Sequence, residues 1–112
     1  MGFVYFIAQQ NNDNNHEECK VNVKIGYSKN PMKRLKQLST SSPVNLLLLG
    51  YFQGNMQDEK NTHLKFSKDK VNLEWFNLSH DLLDYINDVN LLDVYCDFDE
   101  QGIIRRYNTM KM

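Results

Sequence analysis

Phe3-Val4-Tyr5-Phe6-Ile7-Ala8 and Lys20-Val21-Asn22-Val23-Lys24-Ile25-Gly26 are the two stretches that decide how this chain folds. In the first, alternate residues point to opposite sides, and both sides are apolar. Phe3, Tyr5 and Ile7 share one face, and Val4, Phe6 and Ala8 share the other. That pattern predicts an interior strand covered on both sides. The second stretch alternates cleanly, with Val21, Val23 and Ile25 facing one way and Lys20, Asn22 and Lys24 the other. The two read as a hairpin joined by a long asparagine-rich loop over 9–15 that continues to 18.

Working outward, Asn30-Pro31 opens a helix, because asparagine caps well and proline suits the first helical position. Met32, Leu35 and Leu38 are expected to face the core, with Arg34 flanking that stripe at the rim of a cleft. Residues 39–43 end the helix. A third strand is expected over 44–52, with Gly50 marking a bulge. Gly54-Asn55 precedes a helix over 56–66 whose Glu59, Thr62, His63 and Phe66 share one face. Residues 67–70 read as a polar turn, and Trp75 and Phe76 as bulky anchors. Ser79 caps a further helix, with Asp81 at its positive end and a Leu78–Leu83 staple. Leu82, Leu83, Ile86 and Val89 form its apolar stripe. The tail over 91–108 reads as a β-hairpin turning at 99–102. The fold class is therefore α/β in the α+β sense: a small three-stranded antiparallel sheet flanked by helices, with a C-terminal hairpin. Residues 1–112 form one domain, large enough to bury a core without metal or disulfide staples.

Charge is polarised along the chain although the formal net charge is only −1. Lys20, Lys24, Lys29, Lys33, Arg34 and Lys36 fall within 17 positions with no acid among them, and they form the candidate nucleic-acid-binding patch. Asp81, Asp84, Asp88, Asp93, Asp97, Asp99 and Glu100 gather later. Affinity for phosphate has to come from the local patch, since strong non-specific binders carry an overall basic charge. Cys19 and Cys96 are too few for a secreted disulfide scaffold. His16 and Cys19 have a metal-like spacing, but no second pair completes the four ligands of a structural zinc site. There is no basic-then-apolar leader, and no apolar run approaches the roughly 20 residues that cross a bilayer. The default is an intracellular protein without a membrane, in the cytoplasm or nucleus of a host cell.

These residues resemble the GIY-YIG nuclease family, and most of all a branch common in phages and large DNA viruses that has KIG in place of YIG. The resemblance runs from about residue 3 to residue 78. The first motif ends at Tyr5, the second matches Lys24-Ile25-Gly26, and the family arginine, eight residues after that glycine, matches Arg34. The metal-binding glutamate matches Glu59. A histidine one turn later matches His63, and a Glu-Trp-Phe run matches Glu74-Trp75-Phe76. Lys24 departs from the second family tyrosine, Leu38 stands where catalytic members often carry tyrosine or histidine, and the first loop is long.

The resemblance implies a metal-dependent endonuclease that hydrolyses phosphodiester bonds in DNA. Tyr5 would activate or orient water, Arg34 would clamp the phosphate, and Glu59 would hold one Mg²⁺ or Mn²⁺. Lys24 and His63 are the remaining candidate catalytic residues, with Lys24 or Arg34 as the cation beside the phenol. Each has a plainer reading. Tyr5 alone reads as a core aromatic, Arg34 and Glu59 as solvated helix residues, Lys24 as an exposed strand lysine, His63 as a cap on an apolar face and Tyr27 as packing. A single carboxylate holds Mg²⁺ only when phosphate and water complete the shell. The competing class is a nuclease-like module that no longer cuts and that binds nucleic acid or a protein partner through the same basic face. A weaker alternative is an accessory protein whose acidic end mimics nucleic acid. With little room for a separate recognition module, a cutting enzyme of this size would use a homodimer or a partner for specificity.

Overall fold

The computed structural model describes residues 2–11, 20–41 and 45–108. Its elements are β1 (Gly2–Asn11), β2 (Lys20–Ser28), α1 (Pro31–Thr40), β3 (Leu46–Gly54), α2 (Met56–Lys65), β4 (Lys70–Asn72), β5 (Trp75–Asn77), α3 (His80–Val89), β6 (Val94–Phe98) and β7 (Ile104–Asn108), with one 3₁₀ turn at Ser67–Asp69. A five-stranded sheet runs in the order β3-β1-β2-β5-β4, and β6 and β7 form a separate hairpin. The expected antiparallel sheet flanked by helices is present, extended by β4 and β5. His16 and Cys19 lie outside the described residues.

β1 is an interior strand, as its two apolar faces require, and pairs antiparallel with both β2 and β3. Val4, Phe6 and Ala8 join Val21, Val23, Ile25 and Leu49 on one face, where Phe66 at the end of α2 and Leu82, Leu83 and Ile86 of α3 cover them. Tyr5, Ile7 and Leu48 lie on the other face under Leu35 and Leu38 of α1. Opposite Phe6 and Ile7 the register of β3 slips, so Leu49 is the extra residue of a bulge beside Gly50.

The helix starts follow their side chains. The Asn30 side chain accepts from the Lys33 amide with Pro31 at the first helical position. Asn55 and Asp58 form a reciprocal capping box, and the Ser79 hydroxyl accepts from the Leu82 amide. Met32 departs from expectation: it is 56% exposed, and Pro31 is buried instead. Pro31, Leu35 and Leu38 recur at four and three residues, which follows a 3.6-residue turn. A strict three-residue recurrence drifts around the helix and carries Met32 off the buried side.

The outer edge of β3 is closed by side chains and by the segment after α3. Asn90 accepts from the Tyr51 amide at 3.2 Å and donates to the Leu49 carbonyl at 3.2 Å. The Leu91 amide donates to the Tyr51 carbonyl at 2.9 Å, and Arg106 on β7 donates to the Leu48 carbonyl at 2.8 Å. An otherwise open sheet edge is thereby satisfied. The tail hairpin turns where expected, with Gly102 at φ 78° in the turn.

Candidate functional site

The segment Lys24-Ile25-Gly26 of β2 is a hub, and each of its residues makes a different tertiary connection. Pairing of β2 with β5 ends at Lys24 and Trp75. Lys24 Nζ lies 2.9 Å from Glu74 Oε2 and 5.8 Å from the centre of the Trp75 ring. The Lys24 side chain is only 12% exposed, against 43% for Glu74. Lys24 is thus not the exposed strand lysine of the plainer reading. Its aliphatic stem is covered and its ammonium is already partnered.

Ile25 makes the next connection. Its amide donates to the Glu74 carbonyl at 3.0 Å. Its carbonyl, left without a strand partner where β5 turns away, meets His63 Nε2 at 2.8 Å. A carbonyl only accepts, so Nε2 carries the proton there. The His63 ring also packs edge-on to Phe76 with centres 5.0 Å apart. His63 therefore fastens α2 to the edge of β2 and leaves Nδ1 as its remaining basic nitrogen.

Gly26 makes the third. It pairs with Tyr5 across the ladder, and the Tyr5 hydroxyl and ring lie directly over it. A Cβ at position 26 would overlap that phenol. Tyr5 is 2% exposed, between Ile7, Leu48 and the α1 residues Leu35 and Leu38. The aliphatic Leu38 thus packs against the cluster that holds the phenol. Tyr27, one residue on, points to the opposite face and covers Gly2. The structure does not bring Tyr27 and Tyr5 together.

Glu59 stands in the first turn of α2, one turn before His63. Burial pushes its carboxyl above the usual carboxylate range, and the Glu74 charge pushes the same way. His63, Lys24 and Lys60 pull against them. Glu74, Lys24 and His63 thus all act electrostatically on Glu59, at the edge of β2 left open beyond its pairing with β5. Among the described residues no group of three His, Cys, Asp or Glu side chains stands together as a metal cluster.

Arg34 is half-buried on α1, and its Nη1 reaches Gln37 Oε1 only at 3.5 Å, the long limit of a hydrogen bond. Lys29, Lys33 and Lys36 are exposed. None of these four cations forms an ion pair among the described residues. The Lys20 backbone sits at the start of β2, and its side chain lies outside the described part.

Glu74 is the residue that sequence reasoning left at the margin. Its signal was the Glu-Trp-Phe run, but its partner is 50 residues away, and no local pattern announces such a pair.

No curated protein and no solved structure matches the chain. A family model does: the T5orf172 domain, matched over residues 2–90, which spans the sheet, the hub and all three helices. This domain is found in phage and in some nuclease-like proteins. The chain belongs to the T5orf172 domain family.

Proposed function

We propose that this domain binds DNA and hydrolyses a phosphodiester bond at the open edge of β2, in the manner of the GIY-YIG nucleases that its motifs resemble. The observation that carries the reading is the hub itself. Three consecutive residues tie together the phenol of Tyr5, the Lys24–Glu74 pair and the α2 turn bearing Glu59 and His63. A nuclease-like or nucleic-acid-binding role is consistent with the domain family.

The chemistry assigns each group a task. Water must attack phosphorus opposite the leaving sugar oxygen, and the attacking oxygen must lose a proton. Tyr5, as a phenolate whose own proton has passed to solvent, orients that water and accepts its proton, and the departing sugar oxygen takes a proton from solvent. Negative charge grows on the phosphoryl oxygens as the new bond forms, and Arg34, which forms no ion pair among the described residues, offers a planar fork to two of them. Lys29, Lys33 and Lys36 hold the flanking backbone by charge. Glu59 would hold a Mg²⁺ or Mn²⁺ ion. Supporting this assignment, Glu59 feels the Glu74 charge, a repulsion that a divalent cation would relieve. With one dedicated carboxylate, phosphate and water would complete its shell. When bound, the ion would stabilise charge on phosphorus and on the departing oxygen. Lys24 keeps Glu74 turned toward β2, and His63 keeps α2 and Glu59 in register with the hub.

A second reading rests on one observation. Tyr5 is 2% exposed beneath α1, which suits a module that binds DNA without cutting it. Nicking of supercoiled plasmid in Mg²⁺ or Mn²⁺ separates the two. The nuclease reading expects metal-dependent nicking that Glu59→Ala and Arg34→Ala both abolish. Salt-sensitive DNA binding with no nicking by the folded protein would select the binding module. Nicking that survived both substitutions would overturn the residue assignment.

A further inference from the structure

The β4–β5 turn adopts a conformation that its sequence does not favour. Asn72 pairs with Trp75, so Leu73 and Glu74 are the two turn residues. Leu73 has φ 42°, and among the described residues it is the one non-glycine with positive φ. Glycine, asparagine or aspartate ordinarily fills such a place. Packing does not offset the strain, because Leu73 is 77% exposed, and Val71 two residues before it is 54% exposed. Strain held at an exposed apolar tip, without compensating burial, points to a role outside the fold.

The tip is also firmly placed. The Glu74 carbonyl accepts from the Ile25 amide at 3.0 Å, and its carboxylate holds Lys24 at 2.9 Å. Leu73 is thereby fastened next to Glu74, which the hub holds. Lys70, at the start of β4, is exposed and forms no ion pair among the described residues. An apolar tip on the same hairpin as an exposed lysine complements a nucleic-acid duplex, which offers apolar base faces inside an anionic backbone.

We propose that Leu73 is a wedge that enters between stacked base pairs of duplex DNA lying along the β2 edge, opening the step next to the bond to be cut. Apolar side chains that enter a duplex this way unstack one step and kink the helix. The proposal rests on the DNA-cutting reading above and adds how that site would engage its substrate.

The test uses the full chain with EDTA, so that DNA stays intact, and short duplexes carrying 2-aminopurine at easily unstacked TA steps. The wild type is expected to raise 2-aminopurine fluorescence on binding. Leu73→Gly relieves the turn and removes the wedge. It should melt no lower than wild type, lose the fluorescence rise and bind at least about tenfold more weakly, the scale of one leucine burial. Leu73→Met, which keeps an apolar tip, should retain the rise. Binding by wild type without a rise, or an unchanged rise and affinity in Leu73→Gly, would overturn the wedge and leave the nuclease reading standing. Failure of the wild type to bind DNA would overturn both. If Leu73→Gly altered only self-association in sedimentation, the tip would be a protein contact, and the proposal would fail.

Discussion

Replacing Gly26 with alanine tests the closest packing in the site. The added methyl would overlap the hydroxyl oxygen and ring of Tyr5. That ring has nowhere to retreat, since it is 2% exposed between Ile7 and Leu48 and under Leu35 and Leu38. Inserting a methyl into so tight a contact costs about 1–3 kcal/mol. For a chain of this length that lowers the melting temperature by roughly 4 °C per kcal/mol. Trp75, the chain's single tryptophan, reports unfolding by fluorescence in a urea titration. The cause is isolated by a double-mutant cycle with Tyr5→Leu, which removes the overlapping ring. If the overlap is the origin, the two substitutions together cost less than the sum of each alone, by about the same 1–3 kcal/mol. Strict additivity, or a Gly26→Ala protein as stable as wild type, would refute the packing argument. It would also remove the reason why glycine is required opposite Tyr5.

Three further outcomes follow from the electrostatics. Glu59 ionises less readily folded than unfolded, so the stability linked to it is greatest below the ordinary value near 4.5 and is lost as pH rises through the raised folded value. Glu59→Gln should therefore melt higher than wild type at neutral pH without divalent metal, and the gap should close in acid; a lower melting point at neutral pH would contradict this. Asp99 behaves in the opposite way. The Ile103 and Gln101 amides and Arg105 hold its carboxyl below the ordinary 3.8, so its contribution is complete above that value and is lost as pH falls through the lower folded value. Amide exchange at Gln101 and Ile103 should accelerate over that acid range, and Asp99→Asn should remove the pH dependence. Burial pushes the Cys96 thiol up to about 11, so a Cys19→Ser protein should react with a thiol reagent at pH 8 only when urea unfolds it. Rapid labelling of the native protein would show that β6 is not closed against Leu49.

Much of this arrangement was legible because it was local. The two faces of β1, the alternation of β2 and the caps at Asn30 and Ser79 each depend on neighbouring residues, and each forms as read. The hairpin at the C-terminus follows from its turn residues in the same way. What escaped was either too short or too distant. β4 and β5 have three residues each and cannot display a period. Met32 sits at a helix entry where proline took the buried place. The surroundings of Lys24 depend on Glu74 and Trp75, some 50 residues on, and alternation alone made it look exposed. Resemblance supplied Tyr5, Arg34, Glu59 and His63 as candidates, but not what each touches. That His63 bonds the Ile25 carbonyl, and that Glu59 feels Glu74, arise only once α2 lies against the end of the β2–β5 pairing.

That the Tyr5 hydroxyl acts on the attacking water is tested by Tyr5→Phe. The substitution removes one oxygen and keeps the ring that fills the space over Gly26. The measurement is the single-turnover rate of plasmid nicking in Mn²⁺ for wild type and Tyr5→Phe at matched fold and DNA affinity. A fall of about a hundredfold or more is expected, the usual contribution of a positioned acid–base group. Equal rates would contradict it, leaving Tyr5 as a core aromatic whose ring, not its oxygen, is what the site requires.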